Sequence, residues 1–255
     1  SIMEDKIFGD SGTQVVVEEF LTGPEVSVLA FTDGKTLCPM VSSMDHKRAY
    51  DGDKGPNTGG MGTISPNPFY SDEVAKECME KIFQPTVAAM NAEGRPFKGC
   101  LYFGLMLTPD GPKVIEYNSR FGDPETQVVL PRLKTDFAEI VKAVAEERLS
   151  QLSIQWSEQA SACVVMASGG YPGSYPKGIE MHGLDENGQV DGVTVYHAGT
   201  KYENGKFLTN GGRVLGVTAL GDTLDQALDT AYAAVEKISF EGAMYRKDIG
   251  RTHQN

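Results

Sequence analysis

The chain has 255 residues, a formal charge of -12 and 40% hydrophobic residues. That length accommodates one large domain or two modest ones with a proper core, and the acidic balance excludes an extended nucleic-acid surface, which needs a basic patch. No apolar run approaches the roughly 18 residues of a membrane span, and the opening SIMEDKIFGD carries acids rather than the apolar stretch of a secretory leader. Cys38, Cys78, Cys100 and Cys163 are scattered without a C-x-x-C pair, as small buried hydrophobes are in a reducing cytoplasm. The histidines at 46, 182, 197 and 253 lack metal-ligand spacing, so zinc is not expected.

Taken in order, the apolar residues 15–17 predict a first strand, broken by Gly23-Pro24. Residues 25–32 alternate as a second strand, and Asp33-Gly34 turns it into residues 36–41. Residues 42–70 read as a loop-rich region, because Gly and Pro exclude a long helix. Ser71 then caps a helix running towards Asn91, with Asp72 and Glu73 in its first turn and Pro85 set to kink or divide it. Residues 99–107 and 113–118 pair about the Asp110-Gly111 turn, and Pro131 and Asp136 introduce a helix ending near Leu149. Composition turns polar at 150–160, where a domain boundary is expected. Beyond it come a strand at 162–167, a Gly/Pro/Tyr loop at 169–178, a hairpin at Asn204-Gly205, a strand at 214–219 and an amphipathic helix at 223–238.

Residues 113–125, KVIEYNSRFGDPE, crowd Glu116, Asn118, Arg120, Asp123 and Glu125 at a strand end. Residues two apart on a strand share a face, so Glu116 and Asn118 point together. A carboxylate beside an amide oxygen makes a hard pair that suits Mg2+ better than zinc. Arg120 joins that face if the strand continues, and its fork suits phosphate. Read alone, the stretch is equally a strand end whose polar residues cap a loop. Glu18, Glu19, Phe20 and Leu21 offer a strand-to-loop backbone beside an apolar wall, fit for an adenine edge or simply a strand with one charged face. In Asp45-His46-Lys47-Arg48, Lys47 can set positive charge against a transferring phosphate or belong to a solvated cluster. Residues 55–62, GPNTGGMG, let backbone N–H groups form an anion nest around Asn57, Thr58, Gly59 and Gly60. The loop lacks the Lys-Ser/Thr ending of a Walker A motif. Arg213, in NGGR, either reaches a substrate phosphate or ties the C-terminal region to the central sheet, with the tie preferred.

Together, residues 45–48, 55–62, 113–125 and 209–221 (TNGGRVLGVTALG) closely resemble the phosphoribosylamine–glycine ligase family of the ATP-grasp superfamily, in the family's order and over about residues 7 to 250. The resemblance implies an α+β ATP-grasp core, mostly antiparallel sheet with flanking helices, and a small mixed α/β C-terminal domain. It implies a lid-domain remnant at 1–18, the core at 19–150 and the C-terminal domain at 151–255. It further implies ATP-dependent ligation of glycine to 5-phosphoribosylamine through glycyl phosphate, in purine biosynthesis in the cytoplasm. Glu18, Glu19, Phe20 and Leu21 would hold adenine, Glu25 the ribose, and Glu116 and Asn118 a Mg2+ or Mn2+ ion. Lys47 and Arg120 would act in catalysis, with Asn57, Thr58, Gly59, Gly60, Asp123 and Arg213 near the small substrates. The family's chains extend further at the N-terminus, so the chain is expected to be a C-terminal part, inactive without its lid and N-terminal domains. Residues 102–106 also lack the acid that many ATP-grasp enzymes place across from the E-x-N pair. Another ATP-grasp carboxylate–amine ligase, or a non-catalytic binding or assembly module, remains the alternative.

Overall fold

A computed structural model describes residues 3–6 and 9–251. A 3-10 turn at Gly9–Thr13 leads into a segment without regular secondary structure, followed by β1 (Glu25–Thr32), β2 (Leu37–Pro39), β3 (Met44–Asp45), β4 (Arg48–Tyr50), β5 (Lys54–Asn57) and β6 (Gly62–Ser65). Helices α1 (Asp72–Cys78) and α2 (Gln84–Ala92) flank a π-helical turn, and the hairpin β7 (Gly99–Thr108) and β8 (Gly111–Asn118) follows. Then come α3 (Thr126–Val129), α4 (Phe137–Ala145), β9 (Ala160–Ala167), β10 (Thr194–His197), β11 (Thr200–Glu203), β12 (Lys206–Thr209), β13 (Arg213–Gly221) and α5 (Leu224–Val235).

Two larger antiparallel sheets organise these elements, and β4–β5 and β11–β12 form separate two-stranded hairpins. The first has the order β2-β1-β7-β8. Alternation along β1 sends Val26, Val28 and Ala30 into a core with Cys78, Ile82 and Phe83 on the α1–α2 side. Leu29 and Phe31 go the other way, into a core with Val128, Val129 and Ile140. The second sheet has the order β10-β13-β9-β6-β3, and α5 covers it with Ala231, Ala234 and Val235. It therefore joins two strands from before residue 150 to three from after it, through Gly62↔Val164 and the pairs that follow. The polar stretch at 150–160 marks a change of composition, with one sheet running across it.

Residues 42–70 hold no helix, as expected, but their loops carry four short strands, too short and too rich in Gly and Pro to show a period. Other expectations need correction. Residues 15–17 form no strand: Val16 and Val17 are 85% and 91% exposed, with no ladder partner among the described residues. Ser71 does cap α1, accepting from the Val74 N–H at 3.4 Å, but the helix is divided before Pro85 by the π turn Met79–Phe83. Asp136 caps α4, which stops at Ala145, while Pro131 lies in a separate 3-10 turn.

Candidate active site

The inner face of the first sheet carries the polar residues. Ser27 pairs with Gly104, Gly104 with Glu116, and Tyr102 with Asn118, so these side chains share a face with Glu25. A bulge beside Ile115 preserves that parity. The position across from Glu116 is Gly104, where a Cβ would sit 3.0 Å from Cγ of Glu116. The strand stops at Asn118, so the condition that would put Arg120 on this face is not met. Arg120 is exposed and its Nη1 donates to the Phe121 carbonyl at 2.8 Å.

Two cavities open along this face. One, of about 320 Å³, is lined by Glu18, Glu19, Phe20, Leu21, Glu25 and Ile115, among others. The other, of about 510 Å³, is lined by Glu25, Asp45, Lys47, Arg48, Asn57 and Ile115, with their neighbours. Glu25 and Ile115 border both. Phe20 is 90% exposed at the rim, and Glu19 is held by Lys113, whose Nζ lies 2.8 Å from both carboxylate oxygens. Lys47 Nζ lies 2.6 Å from Oε2 of Glu25. Partial burial works against the Lys47 charge, but Glu25, with Asp45 and Glu116 behind it, outweighs burial and raises its pKa.

The glycine-rich loop is anchored on Lys47. The Thr58 N–H and hydroxyl both donate to the Lys47 carbonyl at 2.8 Å, and the Gly60 N–H donates to Thr58 Oγ1 at 3.0 Å. Gly60 has φ of +112°, and a Cβ there would meet Asp45 Oδ1 and Pro124 Cδ at 2.5 Å. Gly59 donates its N–H to the Tyr171 hydroxyl at 3.0 Å. Arg213 Nη1 donates to the carbonyls of Gly59 at 2.6 Å and Asp123 at 2.9 Å, and Nη2 to Asp123 Oδ2 at 3.2 Å. These contacts tie β13 to the loop. Asn57 is exposed at the end of β5, on the wall of the larger cavity.

Sequence reasoning missed a second feature, the acids Asp45 and Glu125. Glu125 Oε1 accepts from the Tyr102 hydroxyl at 3.1 Å and from Ser27 Oγ at 3.4 Å, while Asp45 Oδ1 accepts from the His46 N–H at 2.7 Å. Burial raises both carboxyl pKa values, and the Glu125 charge pushes Asp45 further, well above its ordinary range. Both residues stand inside motifs that the sequence made conspicuous, at 45–48 and 113–125. Glu125 is buried and Asp45 partly so, and their neighbours Tyr102 and Gly60 come from distant stretches of chain, which no local pattern reveals.

Among the described residues no group of three or more His, Cys, Asp or Glu converges as a metal site. The Glu116–Asn118 pair supplies two hard oxygens beside the bare Gly104 position, leaving room for water and phosphate oxygens. That donor set fits a cation such as Mg2+, which keeps much of its hydration.

A helix-backed antiparallel sheet with a carboxylate–amide pair on one face, and a glycine-rich loop anchored on the lysine of the adjoining cavity, has the make-up of an ATP-grasp core. The comparisons narrow this class. A family model for "Phosphoribosylglycinamide synthetase, ATP-grasp (A) domain" matches residues 1–126, and one for its "C domain" matches residues 161–252. The chain belongs to the phosphoribosylglycinamide synthetase family. It is 52% identical, over 97% of its length, to the phosphoribosylamine–glycine ligase of Caldanaerobacter subterraneus, of which it covers 59%. It is 54% identical, over 98% of its length, to the trifunctional purine biosynthetic protein adenosine-3 of Gallus gallus, covering 25% of that protein. The crystal structure of phosphoribosylamine–glycine ligase from Thermotoga maritima superposes with a TM-score of 0.82 at 35% identity, covering 91% of this chain and 56% of that one. The chain thus spans about three-fifths of the single-function relatives it matches.

Proposed function

We propose that this chain forms the nucleotide- and acyl-phosphate-handling part of a ligase joining glycine to 5-phosphoribosylamine, giving glycinamide ribonucleotide, ADP and phosphate in purine biosynthesis. In this reading the smaller cavity takes adenine between Glu18, Glu19, Phe20 and Leu21. Lys47 engages Oε2 of Glu25, leaving Oε1 for a ribose hydroxyl. The triphosphate runs past Ile115 into the larger cavity, where Lys47 meets the transferring phosphoryl group. Glu116 and Asn118 hold Mg2+ or Mn2+, which when bound neutralises charge on the phosphates.

A glycine carboxylate oxygen attacks the γ-phosphorus, and the bond to the ADP oxygen breaks. The phosphoribosylamine nitrogen then attacks the glycyl carbonyl carbon, releasing phosphate and losing a proton. Phosphorylation turns a poor leaving oxygen into a good one, so positioning and charge carry the chemistry without a side-chain nucleophile. Asp45 and Glu125 offer a counter-charge to a substrate ammonium, and the glycine-rich loop borders the small substrates, although its Thr58, Gly59 and Gly60 N–H groups are spent on Lys47, Tyr171 and Thr58 and form no open anion nest. Asp123, Arg213 and the exposed Arg120 border the same substrates. The four free cysteines accord with a reducing cytoplasm.

The observation that carries this reading is that the two cavities are neighbours sharing Glu25 and Ile115 in their walls, with Lys47 lining the second. The test supplies the intact protein carrying this chain with ATP, Mg2+, hydroxylamine and one carboxylic acid at a time. Glycine hydroxamate and ADP should form together, and far faster than with alanine or acetate. ADP release indifferent to glycine, or a preferred second acid, would contradict the assignment.

A further inference from the structure

The end of the described chain reaches back to the loop carrying Lys47. The Arg246 side chain is fully buried. Its Nε and Nη2 donate to Asp248 Oδ1 at 2.7 Å and Oδ2 at 2.9 Å. Its Nη1 donates to the Arg48 carbonyl and to Asp53 Oδ1, both at 3.1 Å. Asp248 Oδ2 accepts from the Gly52 N–H at 2.8 Å, and Asp51 Oδ1 accepts from the Lys247 N–H at 2.7 Å. The Gly250 N–H donates to His46 Nε2 at 3.0 Å, so the ring proton lies on Nδ1, facing the Gly62 carbonyl at 3.2 Å.

Removing a guanidinium from water is costly unless its N–H groups find acceptors. A surface hairpin such as β4–β5 does not need so costly a fastening for its own sake. The pattern of anchors shows what is being fixed. His46 is held by Gly250 and Arg48 by Arg246, and Lys47 lies between them. The Lys47 carbonyl in turn carries both Thr58 bonds of the glycine-rich loop. We propose that Arg246, oriented by Asp248, is a positioning residue that sets the Lys47 ammonium and the glycine-rich loop at the phosphate end of the cleft. Its effect on turnover rests on reading that cleft as a nucleotide site. Its effect on Lys47 geometry does not.

The test uses Arg246→Lys, which keeps the charge but loses the planar fork, and Asp51→Ala/Asp53→Ala, which cuts the same clamp from its exposed side. In the intact protein, glycine- and ATP-dependent hydroxamate formation should lose about 100-fold in kcat, the scale of an ångström-sized misplacement. The KM for ATP should change by less than about 3-fold, because the adenine end is untouched. Acetylation of Lys47 by an N-hydroxysuccinimide ester, followed by peptide mass spectrometry, should accelerate relative to Lys113 in both variants. Unchanged Lys47 labelling in a folded variant overturns the proposal, as does a loss confined to KM. If Arg246→Lys fails to fold, the double variant decides. If the unaltered protein forms no hydroxamate, the functional reading fails and the labelling alone judges the clamp.

Discussion

Replacing Asp45 by Asn should make the protein more stable and less active, and the stability gain should depend on pH. The amide keeps the Oδ1 acceptor that holds the His46 N–H at 2.7 Å and preserves the side-chain shape beneath Gly60. What disappears is a carboxylate penalised by burial and by the neighbouring Glu125 charge. Because its folded-state pKa lies well above the ordinary 3.8, the folded chain holds this proton more tightly than the unfolded chain. The penalty is therefore absent below about pH 3.8, grows as pH rises through the folded-state value, and is complete above it. Each tenfold difference in proton affinity between the folded and unfolded chains is worth about 1.4 kcal/mol, so the variant should gain stability at pH 8 and gain less as the pH falls towards 4. For a chain of this size each 1 kcal/mol gained raises Tm by roughly 2–4 °C. Scanning calorimetry of both proteins at pH 4, 6 and 8 measures it. Equal stabilities at pH 8, or a difference that does not grow with pH, would refute the reasoning.

Glu25→Ala should weaken ATP by about 1–3 kcal/mol, the loss expected for a charged acceptor. It should weaken 2′- or 3′-deoxy-ATP less, and isothermal titration with all three nucleotides checks this. Gly60→Ala forces a Cβ to within 2.5 Å of Asp45 Oδ1 at a left-handed backbone position; a loss of about 1–3 kcal/mol is expected in urea unfolding. Glu116→Gln should raise the Mg2+ concentration required for half-maximal activity and lower kcat; an unchanged Mg2+ titration would remove Glu116 from the metal site.

Where a single stretch of chain decides the outcome, the sequence was legible. Asp110-Gly111 between two alternating runs gave the β7–β8 hairpin, and the E-x-N spacing placed Glu116 and Asn118 on one face, as the register has it. Thr223 caps α5 by accepting from the Gln226 N–H at 3.2 Å, at the helix start expected from the pattern. Legibility failed where distant segments decide. Strands β3 and β6 have four residues or fewer each and exist because β9 pairs with β6. Asp45 and Glu125 read as ordinary loop acids until the fold brings Gly60 against the first and the Tyr102 hydroxyl onto the second. Arg246 follows a tyrosine in an unremarkable run, and its partners at 48 and 53 lie far upstream. At residues 15–17 the apolar pattern was real, but a strand needs a neighbour to exist, and none pairs with it among the described residues.

The central claim is that glycine is activated by phosphorylation in the cleft between Glu25, Lys47 and Glu116. The most direct measurement supplies the intact protein with glycine carrying 18O in both carboxylate oxygens, together with ATP, Mg2+ and phosphoribosylamine, and analyses the released phosphate by mass spectrometry. A glycyl phosphate path carries one carboxylate oxygen into each phosphate, so the phosphate should hold a single 18O. Unlabelled phosphate accompanying amide formation would contradict it.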